Sequence, residues 1–381
     1  MPYLLRSKVV VAGESMEKSP QEFDRLLTQV LSEVGAFQVV VPHRKDAEYD
    51  FRVVKPDGSE FEVDVKEFKR ITPATAESAC MTLKRHSEAT GAQPMIYAAI
   101  VSDRTSEIAA RHGVSWLDYA GNCRLVFPKH GIFVRQSGID NPFGKQLPKV
   151  LNVFSTKSSR VVRAMLQEPT RGWQLNELAG HPDVRVSPGL MSRIKRSLVE
   201  GGYALMLEGQ LYLKRPDDLF KDWVEHYQTH KPKEWGFYMR GEPEQVEQQV
   251  ATWCSETGNE HALSRFSAAW RLAPEVRYNV VSFLVTTRAT LAEPMLKLFK
   301  QYGARKVESG ANLILQIADD ESYLSNRVGD ALKTTSPLQT YLDLMAMDGR
   351  GEEAAVAIYE KYFKLKFAEA SELAMENHEG N

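Results

Sequence analysis

Two acids and a lysine in the first third of the chain have the types and spacing for phosphate chemistry. Asp50 opens the run Asp50-Phe51-Arg52-Val53-Val54, and Asp64-Val65-Lys66 sits inside Glu60–Phe68. Between them Pro56-Asp57-Gly58 reads as a type I turn with glycine in the left-handed position, a three-residue loop that pairs Lys55 with Ser59. Counting back along that ladder puts Asp50 opposite Asp64. Alternation puts Asp64 and Lys66 on one face and Val63 and Val65 on the other. Carboxylate oxygens suit Mg²⁺, and a lysine beside them can orient an attacking water. Exposed Asp and Lys on a hairpin are more often a solvated sheet face, so the triplet alone does not establish the chemistry.

The elements needed to position these residues are legible. Ser19–Val34 has helical spacing, with Phe23, Leu26, Leu27, Val30, Leu31 and Val34 on one side. A buried strand is expected at Phe37–Val41, and Tyr49 begins the hairpin. A helix at Thr75–Ala89, a strand at Met95–Val101, a helix at Thr105–His112 and strands from Val114 complete an α/β domain. Within Trp116-Leu117-Asp118-Tyr119-Ala120-Gly121-Asn122, Asp118 and Asn122 read as turn-forming hydrogen-bonding groups in preference to catalysts. Asn141-Pro142-Phe143-Gly144-Lys145 reads as a linker.

A second constellation follows in Phe154–Pro216. Helices are expected at Lys157–Glu168, Trp173–Gly180 and Ser187–Gly201, then two strands across Tyr203–Lys214 turning at Glu208-Gly209. That is the order of a winged helix-turn-helix. Ser187 is suited to cap the third helix, and Pro188 to its first turn. Leu190, Ile194, Leu198 and Val199 make its buried stripe. Ser192, Arg193, Lys195 and Arg196 then face outward, with Arg185 and Ser187 at its leading end, where a recognition helix meets the major groove.

Charge is distributed to match. The chain holds 48 Lys and Arg against 50 Asp and Glu. Residues 151–215 carry 10 basic and 5 acidic side chains, residues 216–381 carry 18 and 26, and residues 1–150 are nearly balanced at 20 and 19. A basic middle suits phosphate, and an acidic last segment would repel it, so a protein partner or self-association is expected there. Cys80, Cys123 and Cys254 are far apart, there is no signal peptide, and no apolar run approaches membrane length. These point to a reduced, cytoplasmic compartment.

After the short linker His230-Lys231-Pro232-Lys233, helices are expected at Pro243–Glu256, Ala262–Ala273, Leu291–Tyr302 and from Glu352, with strands at Arg277–Val285 and Asn312–Ala318. His261 reads as a surface or capping histidine, and Arg350 as part of a loop before a helix.

The helix, strand, hairpin, helix, strand order, with Asp50 and Asp64-Val65-Lys66 on one hairpin face, resembles the PD-(D/E)xK nuclease fold. That resemblance implies Asp50 and Asp64 as ligands of Mg²⁺, Lys66 as the residue that activates water, and Glu33 where some members place a further acid. Lys69 and Arg70 beside them could equally grip phosphate. The chain as a whole is similar to AbiEi-family antitoxins of type IV toxin–antitoxin systems and to related winged-helix regulators. The similarity rests on Asp64-Val65-Lys66, Trp116–Asn122, Phe154–Val161, Trp270–Tyr278, Pro337–Leu344 and Gly349–Ala355. It implies a repressor that binds double-stranded DNA and opposes a nucleotidyltransferase-like toxin. The expectation is therefore an α/β multi-domain chain: a nuclease-like domain with its linker over 1–150, a winged helix-turn-helix over 151–232, and an α+β domain over 233–381. Its expected function is an antitoxin-like transcriptional regulator; the alternative is a metal-dependent DNA endonuclease targeted by the winged helix.

Overall fold

A computed structural model describes residues 20–41, 50–143, 151–229, 231–286, 297–298, 300–347 and 349–379. Tyr49 and most of the helix expected at Leu291–Tyr302 lie outside them. The chain divides into two compact units, Met1–Lys149 and Val150–Asn381.

In the first unit a seven-stranded sheet follows chain order, from β1 (Gln38–Val40), β2 (Phe51–Val54) and β3 (Glu60–Phe68) through β4 (Gln93–Ala98) and β5 (Ser115–Asp118) to β6 (Cys123–Phe127) and β7 (Ile132–Gln136). β3, β4 and β5 run parallel because α2 (Pro73–Thr90) and α3 (Asp103–Arg111) carry the chain back between them. Thr72 and Thr75 close a capping box at the start of α2, and Gly91, at φ 82°, ends it. The alternation on β3 divides two cores. Phe61 and Val63 are buried toward α1 (Pro20–Ser32), among Phe23, Leu27 and Leu31. The other face meets Ile71, Ala76, Cys80, Leu83, Ile96 and Ile108, from α2, α3 and their neighbours.

Two expectations fail here. Val34 is exposed, beyond the end of α1. β1 is an edge strand paired on one side only, so Gln38 and Val40 face solvent and only Val39 packs on the core. A run of apolar residues there signalled burial that a sheet edge does not provide.

The second unit begins with α4 (Thr156–Gln167), α5 (Leu175–Gly180) and α6 (Pro188–Glu200), and a three-stranded antiparallel sheet of β8 (Trp173–Gln174), β10 (Gln210–Leu213) and β9 (Ala204–Leu207), in that order. Trp173 and Gln174, expected to be helical, form β8, with Trp173 buried against the core. After α7 (Pro216–Thr229) comes a five-stranded sheet in the order β12 (Glu260–Leu263), β13 (Val281–Thr286), β15 (Leu313–Ala318), β11 (Lys233–Tyr238) and β14 (Arg305–Lys306). Around it lie α8 (Pro243–Glu256), α9 (Arg265–Leu272), α10 (Pro337–Met345), α11 (Gly351–Tyr362) and α12 (Lys364–Glu379).

Three segments differ from their sequence expectation. Lys233, taken as the end of a linker, starts β11, whose alternation is masked because Trp235 and Gly236 are both only half-buried. The expected helix at Ala262–Ala273 splits: Ala262 and Leu263 pair with β13, and Ser264 ends the strand before α9 begins at Arg265. The strand expected from Arg277 starts at Val281.

No break in packing separates residues 151–232 from 233–381. One core contains Val161 and Met165 from α4, Ile194 and Leu198 from α6, and Leu338, Leu342, Ile358 and Phe367 from the last three helices. A buried polar network runs through the same contact. Arg163 donates to Gln339 Oε1 at 2.7 Å and lies over the Trp223 and Tyr323 rings at 4.9 and 5.0 Å. Gln339 donates to Tyr227 at 2.7 Å, and Asp343 Oδ1 accepts from Tyr227 at 2.6 Å, Gln339 at 3.0 Å and Gln316 at 3.3 Å. At its edge Arg160 forks onto Asp320 at 3.0 and 2.7 Å. Asp343→Ala strands three buried donors and is expected to cost about 2–4 kcal/mol, while Asp343→Asn keeps an acceptor and costs about 1 kcal/mol or less. Urea denaturation of the two variants checks the difference.

Candidate functional site

The face of α6 is built from its cap inward. Ser187, in extended conformation, accepts from Leu190 N at 3.3 Å, and Pro188 fills the first turn. Met191, Ile194, Ser197 and Leu198 are the buried positions. The expected stripe is therefore rotated slightly: Leu190 and Val199 are only half-buried, and Met191 is buried in addition to Ile194 and Leu198. The rotation leaves Ser192, Arg193 and Arg196 exposed, with Lys195 half-buried. Arg185 is also exposed, at φ 46° in the turn before the cap. Glu208 and Gly209 both take positive φ, 47° and 81°, the primed turn that suits a tight hairpin. The hairpin tip therefore carries an acid, so cationic contact falls to the helix.

The commitments of the basic residues in this segment sharpen the picture. Arg160 binds Asp320, Arg163 binds Gln339, Arg171 pairs with Glu168 and Glu177 over the Trp173 ring, and Arg215 pairs with Asp218. Arg185, Arg193, Lys195 and Arg196 have no ion pair or side-chain hydrogen bond among the described residues. Composition counts all ten cations alike; only packing separates those that hold the fold from those left for a ligand.

The hairpin of the first unit has the expected register. Lys55 N donates to Ser59 O at 2.8 Å, Gly58 sits at φ 78°, and Phe51 pairs with Val63. Asp50 follows opposite Asp64. Its Oδ2 accepts from Val65 N at 2.9 Å. The Asp64 carboxyl is pushed up to about 7, first by burial, then by donating a hydrogen bond to Asp50 and by that neighbour's charge. His86 on α2 brings Nε2 to 3.8 Å from Asp64 Oδ2 and opposes the shift, as does Lys66. Lys66 is half-buried, with Nζ 5.9 Å from the Phe68 ring centroid.

Asp50, Asp64 and Lys66 are thus brought together, and His86 joins them. Glu33 is not with them: it is exposed just past the end of α1, the helix on the opposite face of the sheet, where its charge acts on Cys123. His86 could have been found from the sequence, since it follows Leu83 and Ala79 at helical spacing on the face of α2 turned toward the sheet. Two carboxylates in contact are a donor set of the kind that suits Mg²⁺, which is commonly held by one or two carboxylates together with substrate oxygens. Among the described residues no group of three or more His, Cys, Asp or Glu is placed to hold a metal.

Asp118 is structural in its contacts. It is buried and accepts from Ala120 N and Asn122 N at 2.9 and 2.8 Å, and from the Asn122 and Asn141 amides at 2.9 and 2.8 Å. Asn122 exchanges hydrogen bonds with Ile139, and Asn141 also reaches Ala99 O. The Trp116–Asn122 run thus staples the chain after β7 to the sheet. His261 is half-buried, near Asn259 O, and Arg350 is exposed beside Glu353.

With this geometry in hand, the chain can be set beside known proteins. Residues 212–364 match the family described as transcriptional regulator, AbiEi antitoxin, Type IV TA system. The match begins in β10 and takes in the whole five-stranded sheet, α10 and α11; Trp270–Tyr278, Pro337–Leu344 and Gly349–Ala355 lie inside it. Asp64–Lys66, Trp116–Asn122 and α6 lie outside it. No curated protein matches the chain. A crystal structure of a repair endonuclease from Pyrococcus abyssi is similar at 14% identity and a TM-score of 0.20, over 28% of this chain and 49% of that one. The chain spans about half of that protein's length, and a likeness this slight carries no argument. No helix among the described residues is long and apolar enough to cross a membrane.

Asp64 ionises near 7 in the folded chain against an ordinary 3.8, so folding holds its proton between those values. Stability attributable to Asp64 therefore falls as pH rises through that window and is level above it. Asp64→Asn is expected to flatten the dependence of the thermal midpoint on pH there. Above the window it should gain about 1–2 kcal/mol, allowing for solvent that reaches a partly open site. Asp118→Ala, by contrast, is expected to lose about 2–4 kcal/mol at every pH by stranding its donors, checked by thermal denaturation of the same series.

Proposed function

We propose that this protein is a DNA-binding transcriptional regulator of antitoxin type, which holds double-stranded DNA through a winged helix whose recognition helix is α6. The observation that carries the reading is the row of uncommitted side chains on one exposed face of that helix. Ser192, Arg193 and Arg196 stand at the spacing that lines a single side, with Lys195 at its margin and Arg185 and Ser187 at its leading end. Arginine is the residue whose fork best reads a guanine edge in the major groove, and the same charge attracts backbone phosphate. The family match over residues 212–364 supports the regulator and antitoxin roles and comes from a different part of the chain.

In this reading the acidic last segment serves a protein. Residues 216–381 carry eight more acidic than basic side chains, which suits a basic partner such as a nucleotidyltransferase-like toxin and disfavours a second DNA contact across the whole domain. Pairing of two copies on two half-sites would follow the habit of such regulators. A cytoplasmic setting agrees with three buried, unpaired cysteines.

A second reading is favoured by one specific observation, the contact between the Asp50 and Asp64 carboxyls. Here the first unit is a metal-dependent endonuclease of the PD-(D/E)xK kind, and the winged helix supplies its target. Asp50 and Asp64 would hold Mg²⁺, which when bound supplies a nucleophile and neutralises charge on the scissile phosphate. Lys66 would orient the water. Asp64 must first lose its proton, so Mg²⁺ affinity rises with pH through about 7.

The first reading predicts that Arg193→Ala with Arg196→Ala weakens duplex binding by about tenfold or more, and that wild-type affinity falls steeply with salt. Fluorescence anisotropy measures both; unchanged affinity in the double variant removes α6 from the interface. The second predicts Mg²⁺-dependent nicking of supercoiled DNA that disappears in Asp64→Ala and in Lys66→Ala. Intact plasmid at every pH and metal concentration would leave the first reading alone.

A further inference from the structure

Behind the leading end of α6 lies a polar cleft of about 370 Å³, walled on one side by the turn between α5 and α6 and on the other by the loop after β15. Asp183 and Arg185 come from the turn, and Glu321, Arg327 and Lys333 from the loop, while Arg160 and Glu260 close the ends. Its volume is that of a small-ligand site, but its lining is polar in place of the usual apolar walls, which suits a charged group over a hydrophobic one.

Most of the charges in the cleft are already matched. Arg160 is held by Asp320, Arg327 pairs with Glu260 at 3.6 Å and donates to His261 O, and Asp183 accepts from Ser325 at 3.2 Å. That leaves Arg185 and Lys333, both exposed and with no ion pair or side-chain hydrogen bond among the described residues, lining the cleft together with the acid Glu321, whose charge also acts on Arg160. The backbone that carries these two side chains is well bonded. Arg185 N donates to His181 O and Val186 N to Ala179 O, which fixes Arg185 in the left-handed region where an ordinary side chain is strained. Lys333 O accepts from Leu263 N, and Thr334 bridges to Val328 on either side of the loop. Two cations are therefore presented from two rigid walls of one concave site.

We propose that Arg185 and Lys333 form a binding site for a phosphate group. The site deepens the proposed DNA-binding function, since Arg185 stands two residues before the cap of α6 and Lys333 belongs to the segment beyond the acidic sheet. If the phosphate is one of the DNA backbone, the interface extends from α6 onto the last third of the chain, and residues inside the family match share in DNA binding. If it is a free phosphate or a phosphorylated small molecule, the same contact tethers the turn that leads into α6, and the ligand acts on the recognition helix from behind.

Two arms separate these sources, both on the full chain. In the first, binding of a labelled random-sequence duplex is followed by anisotropy as salt is varied, for wild type, Arg185→Ala, Lys333→Ala and Glu321→Gln. A backbone contact predicts that each cation variant lowers the slope of log affinity against log salt by about 0.9, and that Glu321→Gln tightens binding severalfold. In the second, inorganic phosphate is titrated at constant ionic strength and the thermal midpoint recorded. A free-phosphate site predicts a phosphate-dependent rise in wild type that is lost in both cation variants and enlarged in Glu321→Gln, with the duplex slopes unchanged. Unchanged slopes together with no phosphate-specific stabilisation overturn the proposal. Arg193→Ala with Arg196→Ala keeps the outcomes apart: if that pair abolishes duplex binding while the Arg185 and Lys333 variants match wild type in both arms, the α6 assignment stands and only this site fails. If wild type binds no duplex, the phosphate arm decides the site by itself.

Discussion

Everything in the second unit depends on how α4 is fastened. Arg163 is buried, 4% exposed, with the Gln339 amide oxygen as its hydrogen-bond acceptor and the Trp223 and Tyr323 rings as its neighbours. Burying a guanidinium without a carboxylate partner is costly, and burial holds its ionisation below the usual range. Two things offset that cost. The rings face the cation with their electron density, and Gln339 passes the polarity on through Tyr227 to Asp343. Such a contact is specific in a way that an apolar one is not. Sliding α4 by one residue against α10 would bury unpaired donors, so the network selects one arrangement of the helices, and the apolar core supplies the adhesion.

That constraint reaches the proposed DNA face through the commitments it makes. The arginines that fix α4 and its neighbours are turned inward or held at ion pairs, and those left over gather on α6 and in the turn before it. The first unit follows a similar economy with opposite sign. Its hairpin register forces two carboxyls together, and burial beside Asp50 keeps the Asp64 proton in place until a counter-charge arrives. A cation, a phosphate-bound metal or the nearby His86 would each relieve that repulsion. Asp118, an acid of the same unit, has every oxygen supplied with donors and no such need.

Local signals carried the reading of these elements a long way. Turn chemistry at Pro56-Asp57-Gly58 gave the register that sets Asp50 against Asp64, and Ser187-Pro188 marked the start of α6 to the residue. What stayed hidden was decided by partners distant in sequence. β11 looks like the end of a linker because Trp235 and Gly236 do not alternate cleanly, and only β15 beside it makes a strand of them. Trp173 reads as helical until β10 pairs with it. Helical spacing puts His86 on the sheet-facing side of α2, but that its neighbour is Asp64 depends on the parallel β3–β4 crossover that brings α2 over the sheet. Glu33 shows the reverse error: the resemblance to the nuclease fold implied an acid near the hairpin, but α1 covers the other face. The joint between residues 151–232 and 233–381 was hidden too, since a change in charge balance marks a boundary in composition and says nothing about a shared core.

The central claim is that α6 lies against DNA. Cys80, Cys123 and Cys254 are all buried, so a single exposed cysteine introduced as Ser192→Cys can carry an iron chelate that cuts any DNA within its reach. The account predicts scission of a bound duplex by the Ser192→Cys conjugate and none by the unsubstituted protein carried through the same labelling, since its own cysteines are buried. Bound duplex left uncut by the Ser192→Cys conjugate, while affinity matches wild type, would contradict it.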